Sequence, residues 1–219
     1  ATADRKPGTA QILSEMLNRG TGDKDEKTFF KDLEKQGIST EFSATARGIT
    51  ATTSFLPKDS TNAITSIKDV ILNPRFTEDN FEYAKNSLKS RLQESEKSAD
   101  EGLMKAAYKG TNYATTNSEI LKNIDNITLD DIKGFYSYIM DNAQARVSIA
   151  GPLDKNPDVF ENITNGLKTD FPTFKTPDTK IFNVYTPVAS PEVVVQEHNK
   201  SQAEIEMGYK FKTNGNLKD

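Results

Sequence analysis

Residues 7–21, with the sequence PGTAQILSEMLNRGT, decide the fold of this chain. Their apolar side chains recur at helical spacing, so the stretch predicts a short buried helix over about residues 8–19. Pro7 and Gly8 stand where a helix begins, and Gly20 stands where a left-handed residue closes one. We therefore predict that this helix lies in the core and that the rest of the chain is organised around it.

The residues after this stretch predict an α+β fold, in which helices cover one face of a mostly antiparallel sheet. A helix over residues 23–36 ends at Gly37, and the segments 38–44 and 49–56 alternate as strands around a turn at 46–48. Thr128 is the expected N-cap of a later helix, and Asp131 is placed to complete a capping box with it. Further helices are predicted over residues 63–72, 77–98, 102–108, 128–139 and 157–167, and a further strand over residues 145–150.

We expect residues 1–170 to form one domain, which in one interpretation lacks its first strand or strands. Residues 171–191 are rich in Pro, Thr, Lys and Asp and predict a linker with one short strand at 181–185. Residues 192–219 predict returning strands, at 193–197 and 203–211, or the start of a further strand repeat. Because the chain begins at Ala1 without an initiating Met, we expect a fragment or a processed product.

The order of these elements resembles the M16 family of inverted-zinc metallopeptidases, which includes insulinase, pitrilysin and the mitochondrial processing peptidase. Active members carry a helix that reads approximately Gly-x-Ala-His-x-x-Glu-His-Met-x-x-x-Gly-Thr. The family's Asn-Pro-x-Phe segment is also matched, by residues 73–76. The resemblance covers about residues 7–155 and implies a roll of the LuxS/processing-peptidase type. The frame of the family's helix is present in Gly8, Ala10, Met16, Gly20 and Thr21.

The same resemblance implies that the zinc chemistry of the family is missing here. Gln11 and Glu15 take the places of the two His ligands, and Ser14 takes the place of the Glu that acts as general base. The third ligand, a Glu on a later helix, falls near Arg91 by spacing. We therefore expect no catalytic, cofactor or metal residue on this chain. We expect zinc on a homologous His-x-x-Glu-His half, in the same polypeptide or on a separate subunit.

Composition argues against several kinds of site independently of the family. The chain has a single histidine, His198, whereas a zinc peptidase site uses two imidazoles and a carboxylate. Because Cys is absent, disulfides, thiolate metal sites and a Cys nucleophile are excluded. A nucleophilic role for Ser14 is disfavoured because the His that would activate it is far along the chain. His198 itself lies in a polar turn, where a ligand role is not favoured.

Charge and hydropathy bear on partners and location. Acidic residues outnumber basic residues by 32 to 28, so the net charge of −4 gives a nucleic-acid role no electrostatic support. No apolar run reaches the length of a transmembrane helix. Bacterial two-half enzymes of the resembled type are often exported. We therefore favour a periplasmic or otherwise exported bacterial location, with a mitochondrial one as the alternative.

Several interpretations of the altered zinc positions stay open. They form either ordinary helix surface or the wall of a former cleft that still contacts peptide. A metal site rebuilt from Gln11, Glu15 and a distant carboxylate is disfavoured, because Arg91 stands where a ligand is needed. An ion pair between Glu15 and Arg91 is the better hypothesis, and it predicts that an Arg91→Glu variant loses stability. The Thr-rich strands over residues 39–53 also offer an edge to which an extended peptide can add.

The leading prediction is therefore the non-catalytic half, or partner subunit, of an M16-like zinc metallopeptidase. By resemblance, such a half encloses a chamber and helps to bind unfolded peptide while the other half holds zinc. One alternative is a structural homologue that has left proteolysis, and another is a plain peptide-binding or assembly module. The partner separates these classes, since a peptidase half needs a His-x-x-Glu-His half and a scaffold needs a stable complex without hydrolysis.

Overall fold

The computed structural model describes residues 6–45, 48–94, 99–109, 112–142 and 147–170, together with 193, 195, 201, 203 and 205–208. The α+β class predicted from the sequence is confirmed. Among the described residues, no helix is both long and apolar enough to cross a bilayer. The helices are α1 (Thr9–Leu17), α2 (Glu26–Glu34), α3 (Ser60–Leu72), α4 (Glu78–Glu94), α5 (Ala99–Ala107), α6 (Asn117–Asn123), α7 (Leu129–Asn142) and α8 (Asp158–Asp170). The strands are β1 (Gly20–Thr21), β2 (Lys24–Asp25), β3 (Ser39–Thr45) and β4 (Gly48–Ser54).

Helix α1 lies at the centre of the main hydrophobic core, as predicted. Ile12, Leu13 and Met16 are at most 1% exposed. Burying an aliphatic side chain of this size contributes about 1.5–3 kcal/mol, so the apolar spacing of α1 is sufficient reason for its central position. The buried side chains of the same cluster come from β3 and from the helices around α1, and they include Phe29, Phe42, Phe81, Leu88, Ile120 and Ile132.

The sheet is smaller than the sequence predicted. In the described part of the chain there are two antiparallel sheets of two strands each, β1 with β2 and β3 with β4. The longer hairpin pairs from Ser39 opposite Ser54 to Thr45 opposite Gly48. Thr40 is buried on the side of β3 that faces α1, and the polar residues on either side of it are exposed. The turn between β3 and β4, at residues 46–47, lies outside the described residues.

Two of the helices begin with a capping box, in which a side chain and a backbone N–H of each of two residues bond to each other. At the start of α7, Thr128 Oγ1 accepts the Asp131 N–H at 3.2 Å and the Asp131 carboxylate accepts the Thr128 N–H at 2.8 Å, as predicted. A second capping box, between Thr116 and Glu119, begins α6 and was not predicted. Lys105 donates to Glu119 at 2.7 Å, and this hydrogen bond is the main reason that the pKa of the Glu119 carboxyl lies below its usual value.

Gly20 has the expected left-handed backbone, with a φ of +101°, but it does not close α1. The helix ends earlier, with Asn18 as its C-cap, and Gly20 already belongs to β1. A Cβ atom at Gly20 would lie only 2.3 Å from the Lys24 carbonyl oxygen. Glycine is therefore required by the close approach of β2 as well as by the backbone angle.

The strand predicted over residues 145–150 is wrong where the structure describes it. Residues 147–150 are not in a strand, and Val147 is 56% exposed. Residues 193, 195, 203 and 205–208 are also exposed and outside any strand. A strand exists only where a second strand pairs with its backbone groups, and alternation of side chains does not provide that partner. The predicted linker over 171–191, with its short strand, lies outside the described residues.

Candidate functional site

The polar face of α1 forms one wall of an open groove of about 540 Å³. Its residues stand at positions i, i+3, i+4 and i+7, so they share one side of the helix. A second wall comes from β3, and two residues of α2 and one residue of α4 complete the groove. All four altered zinc positions therefore lie together. The lining residues are Gln11, Ser14, Glu15, Asn18, Glu26, Phe30, Thr40, Glu41, Phe42, Ser43, Ala44 and Arg91.

The side chains at the former ligand positions do not fit a zinc ion. Zinc peptidase sites use imidazole nitrogens and a carboxylate around one ion. Glu15 offers a carboxylate, but Gln11 offers a neutral amide and Arg91 a cation that repels a metal. In the part of the chain that the structure describes, no three His, Cys, Asp or Glu side chains are grouped so that they could hold a metal ion. The donor set of this groove is thus wrong for metal-assisted hydrolysis.

Ser14 stands where the family has its general base, and its surroundings fit a structural role. The residue is 6% exposed, and its Oγ donates to the Gln11 carbonyl at 2.9 Å. Without an adjacent base, a serine hydroxyl neither takes up a proton nor attacks a carbonyl efficiently. His198, the single histidine, lies outside the described residues. In the described structure, the Ser14 hydroxyl therefore bonds to the backbone of its own helix and has no base bonded to it.

Glu15 and Arg91 form the ion pair that the sequence predicted. Arg91 Nη1 lies 3.7 Å from Glu15 Oε2. The Arg91 side chain is 61% exposed, so water screens the attraction and the pair contributes at most about 1 kcal/mol to stability. The pair therefore affects the charge of the groove more than the stability of the fold, since it places a guanidinium group beside Glu15, a predicted former ligand position.

A second ion pair, between Arg19 and Glu26, holds the end of α1 against α2 next to the groove. Glu26, which lines the groove, pairs with Arg19. The Arg19 guanidinium carbon also lies 3.7 Å from the centroid of the Tyr83 ring on α4. A cation over an aromatic face is attracted by the ring quadrupole, so Arg19 ties the end of α1 to both α2 and α4.

Asn18 is the groove residue that sequence reasoning missed. Its side-chain amide donates to the Phe42 carbonyl and accepts the Phe42 N–H, both at 2.8 Å. It also donates to the Ser14 carbonyl at 3.0 Å. A neighbouring strand would offer Phe42 the same donor and acceptor, so Asn18 replaces a strand at this point of the β3 edge. In the sequence, an Asn near the end of a helix signals only a cap, and nothing local links it to residue 42.

The bonds to Asn18 also show how the backbone of β3 is oriented. Because the Phe42 N–H and C=O point away from β4, the two-residue period of a strand places the same groups of Thr40 and Ala44 on the outer edge. On that edge neither residue has a backbone hydrogen bond to another described residue. Among the described residues, the groove therefore contains a strand edge that Asn18 occupies at Phe42 and that has no backbone partner at buried Thr40 or at Ala44.

The sequence profile of the insulinase family, peptidase family M16, matches residues 2–119, which is more than half of the chain. The chain belongs to the M16 peptidase family. The family match covers α1, which the resemblance equates with the zinc helix of active members. The family predicted from the frame residues is confirmed.

Similar proteins are known, and two solved structures among them share the fold. A protein of Helicobacter pylori (strain ATCC 700392 / 26695), described as the non-peptidase homolog YmxG, is 27% identical over 184 residues and covers 79% of this chain. The peptidase M16 inactive domain from Pseudomonas fluorescens has a TM-score of 0.56 at 20% identity over 74% of this chain. A protease from Helicobacter pylori has a TM-score of 0.55 at 20% identity over 84% of this chain. The chain spans 42%, 42% and 44% of these three proteins, less than half of each.

Proposed function

We propose that this chain is the non-catalytic half of an M16 zinc peptidase, which encloses the chamber and helps to bind unfolded peptide. In this proposal the zinc ion and the His-x-x-Glu-His helix belong to a homologous half, in the same polypeptide or on a separate subunit. The observation that supports it is the groove at the four altered zinc positions. Its surface is open and polar, while its side chains do not fit zinc.

The groove presents groups that suit an extended peptide of varied sequence. The outer edge of β3 offers backbone donors and acceptors at Thr40 and Ala44, and every peptide bond carries complementary groups. The Glu41 side chain is exposed and has no hydrogen bond or ion pair to another described residue, and Arg91 is largely exposed. Both can pair with charged side chains of a peptide. The work of this half is then to hold and orient the peptide for the half that cuts it.

The test uses the intact gene product, assayed for bound zinc and for hydrolysis of an unstructured peptide, with this domain present and deleted. We expect the intact protein to hold zinc, and we expect deletion to leave the zinc content unchanged while cleavage is lost. A deleted form that cuts the peptide as fast as the intact protein would contradict the proposal.

A pair of point variants separates the groove from the rest of the surface. Glu41→Gln removes a charge from the groove wall, whereas Glu34→Gln removes an exposed carboxylate on α2 outside the groove. We expect Glu41→Gln to raise KM for a Lys-rich peptide, because one attractive partner is lost, and Glu34→Gln to leave KM unchanged. Equal KM values for both variants would show that this groove does not take part in peptide binding.

A structural homologue without a proteolytic role is the second candidate. The observations that favour it are internal pairings in the groove, Glu15 with Arg91 and Asn18 with Phe42, and the Helicobacter pylori relative described as a non-peptidase homolog. An intact protein that contains no zinc and cuts no peptide, but forms a stable complex with a partner, would establish this role.

A further inference from the structure

Asn18 occupies the middle of the strand edge that faces the groove. We propose that Asn18 is a specificity-determining residue, which prevents an extended peptide from pairing continuously with β3. Peptide in the groove is then held by side-chain contacts and by backbone hydrogen bonds to Thr40 and Ala44. This inference rests on the proposed function only in assuming that peptide enters the groove.

The geometry of β3 carries the argument. A strand added to β3 would lie about 4.8 Å from it and would exchange hydrogen bonds with Thr40, Phe42 and Ala44. The amide of Asn18 already fills that position at Phe42, with two bonds of 2.8 Å. A third bond, from Asn18 Nδ2 to the Ser14 carbonyl at 3.0 Å, holds the amide in this orientation. A peptide backbone can bond to Phe42 only if the Asn18 side chain moves away.

When an incoming peptide displaces Asn18, the number of hydrogen bonds to Phe42 does not change, because the two bonds that the peptide forms replace the two that Asn18 loses. Without the Asn18 side chain, the same two bonds are a full gain for the peptide. Two backbone hydrogen bonds of ordinary net strength correspond to about a tenfold change in affinity. The wild-type groove therefore binds extended peptides about tenfold more weakly than the open edge would.

The experiment compares the intact wild-type protein with Asn18→Ala. The probe is a fluorescent, unstructured peptide rich in Thr and Val, together with a twin that is N-methylated at alternate residues and so lacks those N–H donors. We expect Asn18→Ala to bind the unmethylated peptide about tenfold more tightly than the wild type and to show no gain with the methylated twin. The matched control is Asn156→Ala, since Asn156 makes one exposed bond to the Pro152 carbonyl far from the groove.

An Asn18→Ala protein that is folded by circular dichroism and binds both peptides as the wild type does would overturn the inference. If the variant does not fold, amide hydrogen exchange of the wild type decides. The Phe42 N–H is then expected to exchange slowly and the Ala44 N–H quickly, and equally fast exchange of both would overturn the inference. A wild type that binds no peptide contradicts the proposed function, whereas the gain in Asn18→Ala still decides the role of Asn18.

Discussion

Replacing Asn18 by Asp tests the contact with β3 through the stability of the fold. Asp keeps the shape of Asn and can still accept the Phe42 N–H, which lies 2.8 Å away. It cannot donate to the Phe42 carbonyl at 2.8 Å or to the Ser14 carbonyl at 3.0 Å. Each lost bond costs about 0.5–1.5 kcal/mol, and a carboxylate then faces two carbonyl oxygens in a half-buried position. We expect the free energy of unfolding to fall by about 2–3 kcal/mol.

Urea unfolding of the intact protein measures this loss as a lower midpoint with an unchanged slope. In a thermal scan, about 2–4 °C per kcal/mol for a domain of this size gives a Tm lower by about 4–12 °C. Asn156→Asp is the control, because its single bond to the Pro152 carbonyl is exposed and its loss should cost under about 0.5 kcal/mol. If Asn18→Asp were as stable as this control, the strand-like contact would be refuted.

The pH dependence of the Asn18→Asp variant identifies the cause of the loss. The two carbonyl oxygens favour the protonated carboxyl, which can donate, so the pKa of the new group in the folded state lies above its unfolded value. The protein then binds this proton more tightly when folded, and part of the lost stability returns as the pH falls through the raised pKa. A difference from the wild type that does not change with pH would mean that the charge is not the cause.

Three other changes test single features of the structure. Gly20→Ala places a Cβ atom at a φ of +101° and 2.3 Å from a carbonyl oxygen, so we expect the free energy of unfolding, measured in urea, to fall by about 3 kcal/mol or more. Gly22→Ala is the control, because Gly22 has a φ of +52° in open space, and its free energy of unfolding should fall by about 1 kcal/mol. Arg91→Glu puts a second carboxylate beside Glu15 at an exposed position, so the loss should stay under about 1 kcal/mol and shrink in high salt, whereas a larger loss would show that the pair is desolvated. The lowered pKa of Glu119 means that its stabilising contribution is present at neutral pH and lost as the pH falls through that pKa; Glu119→Gln should remove this part of the acid unfolding curve, and an unchanged curve would contradict the assignment.

The predictions succeeded where a local pattern is also the physical cause. Apolar spacing over residues 8–19 indicates a buried helix because the same spacing makes one helix face apolar. Thr128 and Asp131 predicted a capping box because the atoms that bond are only three residues apart. The strand over residues 145–150 failed because its existence depends on a partner strand that those residues do not specify. Gly20 was recognised as special for its backbone angle, but the approach of β2 could not be seen in the sequence.

The sequence by itself determined the family frame and the central helix, and it predicts the loss of the zinc ligands. None of Gln11, Ser14 and Glu15 offers an imidazole nitrogen in any conformation, because donor chemistry belongs to the side chain. Only the tertiary structure decided that the four predicted zinc positions line one groove and that Asn18 bonds to the outer edge of β3 at Phe42. Asn18 and Phe42 are 24 residues apart, and their contact arises from the packing of α1 against β3. Such packing depends on the whole core, which is why no local pattern in residues 7–21 predicted it.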